Sequence, residues 1–244
     1  MNRKSFLISI IAVLMSFIGG FLIANSINRL ELEKLRGENE RLKNEKRNGD
    51  ANDVELSGPE IDSKIAEADR DPNNFQFQKN LGVALYRYGA MKQDADLVER
   101  SIRLLDRAAA LDKSDREVLV SLGNANFDLG YYRKQNEPLL RARELYGQAL
   151  KPKPDDIEVR TDLGLTYFLA DPPDLDSAIS EFRTSLQTRP DHQRTLQFLI
   201  QALVKKGDTA AAEAALQKLK STHPTDESIP GLSSMIERAK PGGR

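Results

Sequence analysis

The chain has 244 residues and no Cys, and its 36 Lys and Arg residues nearly balance its 37 Asp and Glu residues. Without Cys, disulfides, thiol nucleophiles and thiolate metal sites are excluded. The near-zero net charge argues against a nucleic-acid binder, because such proteins usually carry a strong basic excess.

The first element is a long apolar segment. Residues 5–27 read SFLISIIAVLMSFIGGFLIANSI, without a single charged side chain. As a helix this segment spans ~35 Å, enough to cross a hydrocarbon core of ~30 Å. A cleaved signal peptide is the alternative, with a weak cleavage match at Ala24-Asn25-Ser26, but its apolar run is usually shorter. The sequence therefore predicts an uncleaved transmembrane signal-anchor over residues 1–28.

The charges that flank this segment favour a cytoplasmic N-terminus. Arg3 and Lys4 precede it with no acid beside them, whereas the basic residues that follow it are interleaved with Glu. We expect the rest of the chain to be extracytoplasmic. A literal count of Lys and Arg would reverse the orientation, so that alternative stays open.

Residues 29–47 carry a heptad pattern. Its two seam positions hold Leu32, Asn39 and Lys46, and Asn28, Leu35 and Leu42. A seam Asn favours two parallel strands, so the pattern predicts a short coiled coil and a possible homodimer through residues 28–46. A solvated stalk helix is the alternative. A polar linker follows at residues 48–58, with Gly near both ends.

The remainder of the chain repeats itself. Leu-Gly pairs end at the equally spaced glycines Gly82, Gly123 and Gly164, and each glycine follows a polar turn at the same distance. A small residue precedes each following turn, again at a constant distance, at Ser101, Ala142, Ala178 and Ala212. Only the connection between glycine and small residue varies in length. Two fixed segments joined by a variable turn indicate a helix–turn–helix repeat with a basic period of about 34 residues.

This period, with Leu-Gly early and Pro closing the second helix, resembles the tetratricopeptide repeat (TPR). The resemblance implies an all-α, right-handed α-solenoid of about four helix pairs, in which the glycine and the small residue let paired helices approach closely. The sequence departs from the family at its early aromatic position, which holds Gln78, Leu119, Arg160 and Leu196. Repeats one and two are longer than the later ones, and we interpret their extra residues as longer helices at the turn within each repeat.

We assign this TPR domain to residues 59–240, with a flexible tail at 241–244. A lead-in helix is expected over 59–70 and a capping helix over 227–239. The helix pairs between them are expected over 74–112, 115–151, 156–188 and 191–222. Strand-like alternation of useful length is missing, so no sheet is expected.

The sequence offers no catalytic constellation. His192 and His223 fall in inter-helix turns one repeat apart, where we expect surface residues. An acid–base or metal role would need both side chains close together with carboxylates. No phosphate-binding loop occurs. We therefore predict no enzyme activity, no cofactor and no metal site.

The resemblance implies that the first helix of each repeat lines a concave groove for a protein or peptide ligand. The family pattern places in this groove Lys79, Val83, Tyr86, Asn124, Phe127, Thr161, Phe168, Gln197 and Gln201. Tyr86, Phe127 and Phe168 share one repeat position. They form either an aromatic row that grips a peptide or rings that pack into the interior.

One subgroup of the family clamps the terminal carboxylate of chaperone tails, and the groove does not fit it. Only Lys79 matches that pattern. Glu158 and Asp162 stand where it needs basic residues, and two carboxylates would repel the ligand.

The order of anchor, coil and repeat array looks like that of bacterial envelope assembly factors, such as the TPR proteins of cytochrome c maturation. The resemblance implies a single-pass protein of the bacterial inner membrane with a periplasmic TPR domain. We expect a scaffold that binds a protein or peptide during assembly of an envelope complex. The alternatives are a regulatory or recruiting subunit of a membrane-associated enzyme, and a structural oligomerising spacer.

Overall fold

The computed structural model describes residues 57–240. The predicted anchor (1–28), coiled coil (29–47), most of the linker (48–58) and the tail (241–244) lie outside these residues. Among the described helices, none combines the length and the apolar character needed to cross a membrane.

The described residues form ten α-helices and no strand. In chain order they are α1 (Gly58–Arg70), α2 (Phe75–Lys92), α3 (Ala95–Leu111), α4 (Arg116–Arg133), α5 (Asn136–Leu150), α6 (Ile157–Phe168), α7 (Leu175–Thr188), α8 (Gln193–Lys206), α9 (Thr209–Thr222) and α10 (Ile229–Ala239). Each helix contacts its neighbour in sequence, and the first helices α2 and α4 also touch across the repeat boundary, as do α6 and α8. The all-α solenoid of four helix pairs between a lead-in and a capping helix is confirmed.

The Leu-Gly glycines lie where the two helices of a pair meet. A Cβ built at Gly123 would lie 2.7 Å from Cε1 of Tyr146 on the partner helix, and one at Gly164 would lie 2.6 Å from Cε1 of Phe182. At Gly82 the nearest atom would be Cγ of Leu105, at 2.8 Å. Real Cβ atoms do not approach other atoms this closely, so only glycine permits the observed helix spacing. The close approach expected from the repeat pattern is confirmed.

The extra residues of the first two repeats extend their helices, as expected. The first helices α2 and α4 have 18 residues each, against 12 in α6 and 14 in α8. Pro138 lies in the first turn of α5, where its missing N–H costs no helical hydrogen bond. The insertions therefore lengthen the helices toward the turn inside each repeat without interrupting the stack.

The two end helices close the array with polar outer faces. In α1, Ile61, Ile65 and Ala68 are buried in one cluster with Leu85 and Leu104, while the residues between them are exposed. At the other end α10 buries Leu232 and Ile236. Polar end faces are what a stack of repeats needs to remain soluble.

Candidate protein-binding face

The first-helix face is defined here as the side of α2, α4, α6 and α8 that carries the nine predicted groove residues. Two of its helices, α4 and α6, are fixed at their start by aspartate caps that also join neighbouring repeats. One oxygen of Asp115 accepts the backbone N–H of Val118, 2.9 Å away, and the other lies 2.8 Å from Nζ of Lys79 on α2. Asp156 likewise accepts the N–H of Val159 and the Nη2 group of Arg116, the latter at 2.6 Å. Each cap therefore positions its own helix and holds it against the previous one.

The structure places four of the nine predicted residues in the interior. The aromatic residues Tyr86 and Phe127 are 9% and 3% exposed, and Val83 and Thr161 are also buried. The remaining five, Lys79, Asn124, Phe168, Gln197 and Gln201, are half-buried. Of the two readings of the aromatic row, packing into the interior therefore applies to Tyr86 and Phe127, and only the ring of Phe168 stays partly accessible.

Two buried polar pairs lie beneath the accessible surface of the face. The Tyr86 hydroxyl on α2 donates to Oδ2 of Asp128 on α4, at 2.9 Å. On the later repeats, Nη2 of Arg194 on α8 donates to Oδ1 of Asp162 on α6, at 2.5 Å. Burial, with the charge of Asp162, raises the pKa of Asp128 to about 7, against the Tyr86 hydrogen bond, which lowers it. The repeat pattern in the sequence does not predict the hydrogen bond between Tyr86 and Asp128.

A second buried network joins the third and fourth repeats. The hydroxyl of Thr161 lies 2.6 Å from that of Thr195 and 3.0 Å from that of Ser185. Nδ1 of His192 lies 2.6 Å from the Thr195 hydroxyl, and its Nε2 lies 2.9 Å from Oε1 of Glu158. These contacts explain why Thr161, expected on the open groove, is buried.

The expectation of a surface position is wrong for His192. The His192 side chain is only 11% exposed, because it stands at the start of α8 and turns back onto Glu158 and Thr195. His223 is half-buried beside the hydroxyl of Thr222, 2.9 Å from its Nδ1. The hydroxyl–His–carboxylate order of Thr195, His192 and Glu158 resembles a nucleophilic triad. However, Thr195 is fully buried, so no substrate can reach its hydroxyl.

The accessible part of the face lies mainly on its C-terminal half. Phe168 and Phe198 have ring centroids 6.5 Å apart, and Nζ of Lys205 lies 5.4 Å from the Phe168 centroid. The amide of Gln197 donates to Asp226 and Ser228, at 2.8 and 3.1 Å. One helical turn further on, Gln201 makes no side-chain hydrogen bond to any residue in the described part of the chain. This half of the face therefore offers a partner one aromatic ring and one free amide.

The N-terminal half of the face is more strongly paired. Lys79 is 14% exposed in its side chain and lies 2.6 Å from Glu117 in addition to its contact with Asp115. The side chain of Asn124 accepts a hydrogen bond of 2.8 Å from the Tyr146 hydroxyl. These partners hold the side chains of Lys79 and Asn124 in place. The two side chains therefore contribute more to the shape of the face than to its free hydrogen-bonding capacity. Within residues 57–240, no group of three or more His, Asp and Glu side chains is arranged to hold a metal ion.

Comparisons with known proteins agree with this architecture. Residues 173–235 match the family described as tetratricopeptide repeat. A crystal structure of MamA protein is 21% identical, with a TM-score of 0.55 over 77% of this chain and 88% of that chain. MamA 41-end from Desulfovibrio magneticus RS-1 is 17% identical, with a TM-score of 0.55 over 70% and 87%. A thermophilic TPR protein in Thermus thermophilus is 15% identical, with a TM-score of 0.52 over 72% and 89%.

No curated protein matches the sequence. At these identities the solved structures show the fold alone. Together with the matched segment, they confirm the TPR fold that the repeat spacing predicts. This fold generally mediates protein–protein interaction.

Proposed function

We propose that the protein is a membrane-anchored scaffold that binds a polypeptide partner on its first-helix face during assembly of an envelope complex. The observation that supports this proposal most directly is the accessible, C-terminal half of the first-helix face. There the half-buried ring of Phe168 and the free amide of Gln201 lie on helices α6 and α8, which contact each other. An aromatic ring and an amide on two contacting helices suit a peptide, because the ring can cover an apolar side chain and the amide can pair with a backbone group.

Site-specific photo-crosslinking tests this proposal. A photoreactive amino acid at Gln201 of the full-length protein should capture discrete polypeptides in cells. The matched control carries the same amino acid at Ser180, which is exposed on the second helix α7 and should capture nothing specific. Equal capture at the two positions would contradict a partner site on the first-helix face.

The identity of the captured protein separates the proposal from its alternatives. Several client polypeptides favour the scaffold, whereas one enzyme captured in equal amount favours a recruiting subunit. If no polypeptide is captured while the protein still oligomerises, the spacer is the better description. In a pull-down with the full-length protein, without a photoreactive group, Gln201→Ala should reduce recovery of the captured polypeptide. It should not lower the unfolding midpoint, because this amide makes no hydrogen bond within the described part of the chain.

The membrane part of the proposal rests on the uncharged segment 5–27. The full-length protein should remain with membranes after carbonate extraction, and protease added outside the inner membrane should digest the repeat domain. A shortened soluble form would instead indicate a cleaved signal peptide. Digestion only from the cytoplasmic side would reverse the proposed orientation.

The possible homodimer rests on the heptad pattern at residues 28–46. Chemical cross-linking should capture a dimer of the full-length protein and should fail when both Leu35 and Leu42 are changed to Asp. If the two proteins give the same cross-linked species, the segment is a stalk only.

A further inference from the structure

Asp128 is the least satisfied buried carboxyl group on the first-helix face. It lies on α4 and is 1% exposed. The Tyr86 hydroxyl on α2 donates to Oδ2, but Oδ1 is buried without a hydrogen-bond partner in the described part of the chain. One turn further along α4, the hydroxyl of Tyr132 is buried and unpartnered as well. A buried carboxylate oxygen without a donor costs free energy that a protonated carboxyl does not.

The ionisable groups around Asp128 come from five helices. They are Tyr86 on α2, Tyr132 on α4 itself, Tyr146 on α5, Asp162 on α6 and Arg194 on α8. Arg194 is the only cation among these, and it is already bound to Asp162, with Glu158 3.8 Å from its Nη1. A negative Asp128 would therefore face a second carboxylate without a cation of its own.

The protonated form suits the same surroundings better. A neutral carboxyl still accepts the hydrogen bond from Tyr86 through one oxygen, and burial of an unpartnered neutral group costs less free energy than burial of an unpartnered charge. Burial, reinforced by Asp162 and opposed by Tyr86 and Arg194, raises the pKa of Asp128 to about 7. The unpartnered Oδ1 and the raised pKa of Asp128 both favour the neutral form below about pH 7.

We propose that Asp128 is a protonation-sensitive joint between the first two helix pairs. While Asp128 is neutral, α2 and α4 stay packed over it. Once it is ionised, the cost of its buried charge outweighs the gain from the Tyr86 hydrogen bond, so these two helices open to water more readily. The effect is local, because the repeats of such a stack contact only their neighbours.

The sign of the pH dependence follows from linkage. The folded state raises the pKa of Asp128 above its ordinary value of 3.8, so the native form binds the extra proton between these pH values. Stability therefore falls as pH rises toward 7 and is flat above it. Asp69, Glu99 and Asp174 have lowered pKa values, so their contributions are lost only in more acidic solution. Asp106 has a raised pKa, through burial, and serves as the control.

The experiment uses the full-length protein in detergent between pH 5.5 and 8.5. The carboxyl carbon resonance of Asp128 should titrate near pH 7. Amide exchange in α2 and α4, corrected for its intrinsic rate, should accelerate as pH rises to about 7 and then level off. Below pH 7 the opening constant should rise by up to about tenfold per pH unit. Exchange in α9 and α10 should not change in this way.

Three substitutions decide the result. Asp128→Asn, which mimics the neutral acid, should abolish the pH-dependent change, whereas Asp106→Asn should retain it. Tyr86→Phe removes the hydrogen bond that favours the carboxylate, so it should move the titration of Asp128 to higher pH. Titration of Asp128 below pH 5, or an unchanged pH response in Asp128→Asn, would overturn the proposal. If Asp128→Asn does not fold, the direction of the shift in Tyr86→Phe decides.

Discussion

Gly123 shows how a single residue sets the spacing of two helices. A side chain at this position would collide with the Tyr146 ring, which is held by a hydrogen bond from its hydroxyl to Asn124. We expect Gly123→Leu to destabilise the protein by about 1–3 kcal/mol, because overpacking forces the neighbouring side chain or backbone to shift. Thermal or denaturant unfolding of the full-length protein measures this change.

Gly147 provides the matched control for that substitution. It lies inside α5, and a Cβ built there would meet nothing within 4 Å. Gly147→Ala should therefore be neutral or stabilise by about 0.5–1 kcal/mol, since glycine is unfavourable inside a helix. If Gly123→Leu unfolds like the parent protein, Gly123 is not a contact point.

For single residues, the sequence predicted which positions lie at helix contacts better than it predicted how deeply each side chain is buried. The equal steps between the Leu-Gly pairs located the contact glycines Gly82, Gly123 and Gly164, because close helix approach leaves a periodic mark in the sequence. They did not locate Gly89 and Gly130, which also meet the partner helix closely. The burial of a side chain leaves no such periodic pattern in the sequence. Tyr86 and Phe168 occupy the same repeat position, yet Tyr86 is buried against Asp128 while Phe168 remains partly exposed. The difference depends on which residues of the neighbouring repeats face each ring, and no single-repeat pattern contains that information.

At the scale of helices, the aspartate caps differ in what else they hold. Asp156 caps α6 and also binds Arg116 of the previous first helix, whereas Asp208 is exposed and caps α9 through the N–H of Ala211. Loss of a cap typically costs ~1 kcal/mol. We expect Asp208→Ala to cost about this much and Asp156→Ala to cost about twice as much, because Arg116 also loses its partner. Equal losses in chemical denaturation would show that the Arg116 contact contributes nothing.

Helix ends could be predicted from the sequence because capping residues mark them locally. The side-chain networks between repeats could not be predicted in this way. The expected lead-in helix at 59–70 compares with α1 at Gly58–Arg70, and the expected capping helix at 227–239 with α10 at Ile229–Ala239. Polar and proline-containing turns mark such ends locally in the sequence. His192 stands in one of these turns, but its contact with Glu158 joins two neighbouring repeats. A long-range contact of this kind is visible only once the helices are stacked.

At the scale of the whole molecule, the contacts run mainly between neighbours, from α1 to α10. The ion pairs on the second helices follow the same rule, since Asp96 and Glu99 bind Arg133 of the next repeat and Asp106 binds Arg141. A linear array of this kind transmits a local loss of stability only to adjacent repeats, in contrast to a globular core. A defect at one end should therefore remain local, and a defect in the middle should spread both ways.

How far a local loss of stability spreads along the array can be measured by truncating Ile236 and Leu122, two residues of equal burial. Both are 1% exposed, Ile236 on the terminal helix α10 and Leu122 on α4 in the interior of the array. Truncation of such a buried side chain to Ala typically costs ~2–5 kcal/mol. Native-state hydrogen exchange of Ile236→Ala should show lost protection in α8 to α10 with α2 and α3 unchanged. Leu122→Ala should lower protection on both sides of α4. Uniform loss along all ten described helices in Ile236→Ala would mean that the array unfolds as one unit, and that nearest-neighbour contacts do not limit how far a change on the first-helix face can travel.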